Sequence, residues 1–215
     1  AVEMSTCAKR PRTDSSSPTL SLVAVTAATK GRKHTMEDVP VLVDSLENIH
    51  QQPEASGTCA PSTMARRSFY AVLDGHGGRD CADFVAERLP AELASALRER
   101  DAPSGGATPS STIKEAVRSA FVMCDKQLLT RCDELDWCDG CCAIGCLIDT
   151  HVQPPRAYVP NLGDSRGFAC VQESSSAPIR CVPLSKDHSP LNSAERKRIE
   201  QAGGFVENGR VCGSL

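Results

Sequence analysis

The stretch Ser68-Phe69-Tyr70-Ala71-Val72-Leu73-Asp74-Gly75-His76-Gly77-Gly78 constrains this chain more than any other. Phe69 to Leu73 is a short apolar run of aromatic and branched residues that ends near glycine, the pattern of a buried strand. It stops at a carboxylate, a histidine and glycines, and a helical pattern begins directly afterwards. This reading puts Asp74 at the strand's end, where the sheet holds the side chain and solvent can reach it. Gly75, Gly77 and Gly78 let the backbone turn sharply and let a carbonyl or an ion approach. A carboxylate, a free carbonyl and an imidazole together suit a hard divalent cation with a proton donor beside it. A tight strand-to-helix turn with a polar cap is the plainer alternative.

The 215 residues suffice for one large domain or two small ones, and 40% hydrophobic with 24% charged residues is a globular composition. A net charge of −3 implies no general affinity for polyanions, so nucleic acid is not an expected partner. No apolar run approaches the roughly 18 residues that cross a bilayer, so no membrane is expected either. The N-terminus carries no apolar region followed by a small-residue cleavage site, which leaves the cytoplasm or the nucleus as the expected location. Residues 1–18 are polar and read as a flexible tail, with Lys9-Arg10-Pro11-Arg12 readable as a nuclear address, and 19–215 read as the domain. The 12 cysteines, without a secretion signal, read as reduced thiols. Cys138-x-x-Cys141 has the spacing of half a zinc site, but no second Cys-x-x-Cys or His pair follows at the usual spacing, so zinc is not the expected reading.

Thr19 to Ala28 alternates like a strand, and Val39 to Val43 is a second candidate, with the charged turn Gly31 to Asp38 between them. Residues 50–66 read as a surface loop. Ala82, Val85, Leu89, Leu93 and Leu97 recur at helical spacing, with Pro90 expected to bend or interrupt that helix. After a Pro-Gly-Ser loop, Ile113, Ala116, Val117, Ala120, Phe121, Cys124 and Leu128 share a second helical face. Strands are expected over 141–149, 156–162, 167–172 and 179–183, paired antiparallel, and a helix over 193–202. Asn192 with Glu195 reads as its capping pair and Gly203 as its C-terminal cap. A hairpin turning at Asn208-Gly209 closes the series.

In order along the chain stand Met36-Glu37-Asp38, Phe69 to Gly78, Asp139-Gly140, Asn161-Leu162-Gly163-Asp164-Ser165-Arg166, Leu184-Ser185-Lys186-Asp187-His188, and Glu195-Arg196 through Val206. Together they resemble the metal-dependent type 2C serine/threonine protein phosphatases, and within them the integrin-linked-kinase-associated type. The resemblance implies an α+β fold: a four-layer α/β/β/α sandwich with two antiparallel sheets inside and helices outside. It implies a protein-phosphatase activity on phosphoserine and phosphothreonine, phosphorylated proteins as partners, a monomer, and two Mg²⁺ or Mn²⁺ ions per complete site. Carried over by position, Asp74 bridges the ions, Gly75 offers its carbonyl, Glu37 adds a carboxylate, Asp38 supports them, and Asp164 matches the place of a weaker third ion. His76 is placed to protonate the departing serine or threonine oxygen.

Three departures qualify the match. The family commonly places an arginine where Lys33 stands, with Arg32 beside it here; lysine keeps the charge but loses the bidentate fork that grips phosphate. The family's small hydroxyl residues after Asp139-Gly140 become Cys141 and Cys142, which loses hydrogen bonds and exposes this strand to oxidation. Two further metal-binding aspartates of the family have no match before Leu215, so the chain reads as the N-terminal part of the catalytic domain with half of the dinuclear site. A non-catalytic pseudophosphatase that binds partners is the alternative of a different class.

Overall fold

A computed structural model describes residues 22–49, 67–101 and 107–211. The 1–18 tail and the 50–66 loop lie outside the described residues.

The centre is β2 (Arg67–His76), antiparallel to β1 (Asp38–Val43) on one side and to β3 (Gly140–Asp149) on the other. β4 (Arg156–Tyr158) and β5 (Asn161–Leu162) both pair with β3 and complete a five-stranded sheet. Period-two burial separates its faces: Val39 and Val41, Phe69, Ala71 and Leu73, and Ala143 and Leu147 all point one way and are buried. Against that face pack α1 (Asp80–Arg100) and α2 (Ser110–Leu135), whose buried stripes include Leu89, Leu93, Leu97, Ile113, Ala116 and Ala120. The opposite face carries Leu42 and Val72, both well exposed.

Pro40 sits inside β1 opposite Val72. The Gly75 N–H donates to the Glu37 carbonyl, so the rungs alternate from there and Pro40 occupies a rung whose N–H would point away from β2. β1 is an edge strand, and an edge tolerates the missing donor.

Two smaller antiparallel pairs follow: β6 (Phe168–Val171) with β7 (Arg180–Pro183), and β8 (Val206–Glu207) with β9 (Arg210–Val211). Asn208 and Gly209 take the positive φ values of 52° and 77° that a tight hairpin turn requires. Between the pairs lies α3 (Ser193–Gln201), capped by the Asn192 side chain, which accepts from the Ala194 N–H. The architecture is α+β with antiparallel sheets. Among the described residues one helix layer packs on one five-stranded sheet, and β6–β7 stands as a separate small sheet.

Four sequence expectations change. Residues 22–28 form no strand; Val23 and Val25 are exposed, because no described strand lies beside them to accept their backbone groups. α1 runs unbroken through Pro90, whose ring is itself buried with Leu89 and Leu93, so packing outweighs the lost hydrogen bond. The expected strand over 156–162 is divided into β4 and β5. Glu195 turns to the Arg198 guanidinium instead of completing a capping box.

Candidate active site

β2 continues past Asp74 to His76, so Asp74 stands within the ladder and not at its end. Asp38 is its direct partner on β1, and Cys142 its direct partner on β3. Because Glu37 and Gly75 form the hydrogen-bonded rung, Asp38 and Asp74 form the closer, non-hydrogen-bonded rung, with Cβ atoms about 4.5–5.5 Å apart. Two carboxylates thus face each other on the sheet face away from the helices. Burial pushes the Asp74 carboxyl above its ordinary range, Asp38 pushes it further, and Lys33 opposes both. Like charges directly opposite are unfavourable in a sheet, and a bound cation reverses that sign.

Glu37 precedes β1, with its carboxylate 3.4 Å from Lys33 Nζ and 3.4 Å from Thr35 Oγ1. Lys33 is exposed, and Arg32 is exposed beside it in the same turn. A Cβ at Gly75 would lie 2.6 Å from the Glu37 carbonyl and 2.9 Å from that of Gly78, so no side chain fits where the turn doubles back. His76 faces Gly140 across the ladder, and its Nε2 is buried without a hydrogen-bond partner. A Cβ at Gly140 would come within 2.7 Å of that nitrogen, which is why glycine stands there.

Asp139 has a role that sequence reasoning missed. Arg79 supplies no side-chain cap to α1; instead Asp139 Oδ2 accepts the Cys81 N–H at 2.8 Å, placing a carboxylate at the helix's positive end. Arg79 itself reaches back, donating to the Met36 carbonyl at 3.3 Å beside the acidic turn. The helix start, β3 and the Glu37 segment are thereby tied around the Asp74 to Gly78 turn. The spacing of Asp139 from Cys81 carries no signal for this.

The motifs at 161–166 and 184–188 are one structure. Gly163 and His188 are joined twice, by His188 N–H to the Gly163 carbonyl at 2.9 Å and by Gly163 N–H to His188 Nδ1 at 3.3 Å. Asn161 donates to the Lys186 carbonyl at 3.1 Å, and Arg166 grips Asp187 through Nε and Nη2. Gly163, at φ 102°, admits no Cβ, which would strike Cys142 Sγ at 2.2 Å. That close approach brings the exposed Asp164 to 3.9 Å from Cys142 Sγ, and its charge adds to those raising Asp74.

The structure therefore brings Asp38, Asp74, Gly75 and His76 together, with Glu37, Lys33 and Asp164 at the margin. Among the described residues no group of three or more His, Cys, Asp or Glu side chains converges closely enough to hold an ion alone. The mutually repelling carboxylate pair fits one wall of a hard-cation site, and the wall is not closed. Among the described residues no cysteine group gathers as the zinc reading needs: Cys141 packs against the helix-side core and Cys142 takes the other face of β3.

The family profile of Protein phosphatase 2C matches residues 24–215. The chain belongs to the protein phosphatase 2C family. It is 34% identical over 203 residues to the integrin-linked kinase-associated serine/threonine phosphatase 2C of Bos taurus, covering 93% of this chain and 50% of the relative. A protein phosphatase 2C homolog 2 of Aspergillus flavus is 33% identical over 189 residues, covering 88% of this chain and 38% of the relative. Among solved structures, a C. elegans sex-determining protein superposes with a TM-score of 0.64 at 28% identity, over 87% of this chain and 40% of that one. A serine-threonine phosphatase 2C from Toxoplasma gondii has the same fold at a TM-score of 0.57, 22% identity, and coverage of 83% and 55%. The chain spans about half the length of the integrin-linked kinase-associated phosphatases it matches.

Proposed function

We propose that this protein phosphatase 2C chain supplies one wall of a site that hydrolyses phosphoserine and phosphothreonine in proteins with Mg²⁺ or Mn²⁺, two ions in the complete site. The observation that carries the reading is the Asp38–Asp74 rung at the mouth of the His76 turn, two carboxylates held face to face with Asp164 adding to the negative field. Asp74, the Gly75 carbonyl and Glu37 would hold the ions, with Asp38 and Asp164 beside them. When bound, the ions supply an activated water and neutralise phosphoryl charge.

The chain's own groups do the rest. Lys33 and Arg32, exposed at the rim, present positive charge to an incoming phosphate. A lysine binds it as a point charge without arginine's fork, so phosphate grip is shared across the turn. In this reading His76 supplies the proton to the departing serine or threonine oxygen, a role worth on the order of 10²–10⁴ in rate. Gly140 and Gly75 keep the imidazole and the turn in place by leaving room for them.

The test is Mn²⁺-dependent phosphate release from a phosphothreonine peptide by the protein, beside Asp74→Asn and His76→Ala. Release that needs Mn²⁺, vanishes in Asp74→Asn and falls on the order of 100-fold in His76→Ala is the expected result. Release indifferent to Asp74→Asn, or a folded protein that Mn²⁺ does not stabilise, would overturn the proposal; no release from a folded protein that Mn²⁺ does stabilise would leave a phosphoprotein-binding role to be measured directly.

A further inference from the structure

Cys170 and Cys181 are directly opposite each other in the β6–β7 ladder, and both are exposed. The phase of that ladder follows from its end. The Leu184 N–H donates to the Gly167 carbonyl at 2.8 Å, which makes 167–184 a hydrogen-bonded rung. Rungs alternate, so 168–183 and 170–181 are non-hydrogen-bonded. Pro183 checks this independently: lacking an N–H, it fits only a rung whose donor would point outward, and it shares that parity with Cys181. Opposed residues on such a rung have Cα atoms about 4.5 Å apart. That lies inside the roughly 4.4–6.8 Å that a disulfide spans.

The hairpin holds the two thiols together without needing the bond. The Arg166–Asp187 pair clamps its base, and toward the loop Arg180 pairs with Glu173 at 2.7 Å while Gln172 donates to the Ala177 carbonyl at 2.9 Å. The other described thiols are worse placed. Cys81 and Cys132 lie 3.7 Å apart, but Cys81 is buried, burial pushes its thiol up, and it donates to the Asp139 carbonyl at 3.2 Å. Burial pushes Cys124 to about 12 and Cys141 to about 11.

We propose that Cys170 and Cys181 are a modification site: an exposed cross-strand dithiol that a low-molecular-weight disulfide, such as oxidised glutathione, converts to an intramolecular disulfide. Either thiolate attacks one sulfur of glutathione disulfide, that S–S bond breaks, and one glutathione leaves and takes up a proton. The opposing cysteine, losing its proton, attacks the mixed disulfide and expels the second glutathione. Two electrons pass from the dithiol to glutathione, and a dithiol reductant reverses the reaction. The bond joins the two strands that run directly from the Gly163–His188 turn, so it braces the segment presenting Asp164.

The full chain is incubated with oxidised glutathione, alkylated, and digested with trypsin without reduction. Trypsin cuts after Arg166, Arg180 and Lys186, so the bond links peptide 167–180 to peptide 181–186. The expected result is that linked pair, lost on adding dithiothreitol. Cys124 is buried and burial pushes its thiol up, so the linkage between the exposed pair should form before Cys124 reacts. Cys170→Ser and Cys181→Ser, at exposed positions, should each abolish the linkage and retain one glutathione on the remaining thiol. Glutathione on both cysteines without a bond between them would overturn the proposal. So would a Cys81–Cys132 bond forming first, or linkage of either residue to Cys7, Cys59 or Cys212.

Discussion

Gly140→Ala tests the arrangement of the site without requiring catalysis. The added Cβ would lie 2.7 Å from His76 Nε2 and 3.1 Å from Cε1. Carbon atoms rest against their neighbours at about 3.5–4.0 Å, so the imidazole must retreat by roughly 0.8 Å. Two effects compete. Replacing a strand glycine gains about 0.5–1 kcal/mol through the unfolded chain. Overpacking costs about 1–3 kcal/mol, which leaves a net loss of about 1 kcal/mol. In a His76→Ala background the obstructing ring is gone, and the same substitution should stabilise by about 0.5–1 kcal/mol. The coupling between the two positions is then about 2 kcal/mol. Urea unfolding of the four proteins in EDTA, followed by circular dichroism, gives that number. Additivity within about 0.5 kcal/mol would refute the claim that residue 140 is glycine because of His76.

Asp74 gives a pH prediction. Burial and Asp38 raise its carboxyl above the ordinary value, so folding favours the protonated form. Its contribution is complete below the ordinary carboxylate range and is lost as pH rises through the raised value. In EDTA, Asp74→Asn should therefore gain on the wild type between about pH 4 and pH 7, and Mn²⁺ should stabilise the wild type alone; parallel urea midpoints at both pH values would contradict this. Arg67 lies buried at the far end of β2, paired to Asp101 at 2.7 Å and 3.7 Å from the buried Asp149. Arg67→Ala should cost about 3–5 kcal/mol in unfolding free energy by removing the bidentate partner of Asp101 and the guanidinium beside Asp149, whose Oδ1 then keeps only His151, and a loss under about 1 kcal/mol would show that this cluster is not what holds the strand.

Much of this protein is written in neighbouring residues. The β2 run, the two helical stripes and the Asn208-Gly209 turn appear as periods of two or of 3.6 and as residues that suit special backbone angles. Such signals survive in sequence because the residues that create them are adjacent. The motif set from Met36 to Val206 is equally legible, and its order along the chain points to the family.

What only the tertiary structure decided is which distant residues meet. The facing of Asp38 and Asp74 depends on a register set by burying Val39, Val41, Leu73 and Ala71 on one side, and a slip of one residue would turn every carboxylate away. Asp139 as the cap of α1 depends on β3 lying beside β2, and Gly163 as the gap filled by Cys142 depends on β5 pairing with β3; no local pattern specifies either. Residues 22–28 show the converse: an alternating pattern became no strand because the fold placed none beside it. Periodicity states what each segment can bury; the packing of the whole chain decides against what.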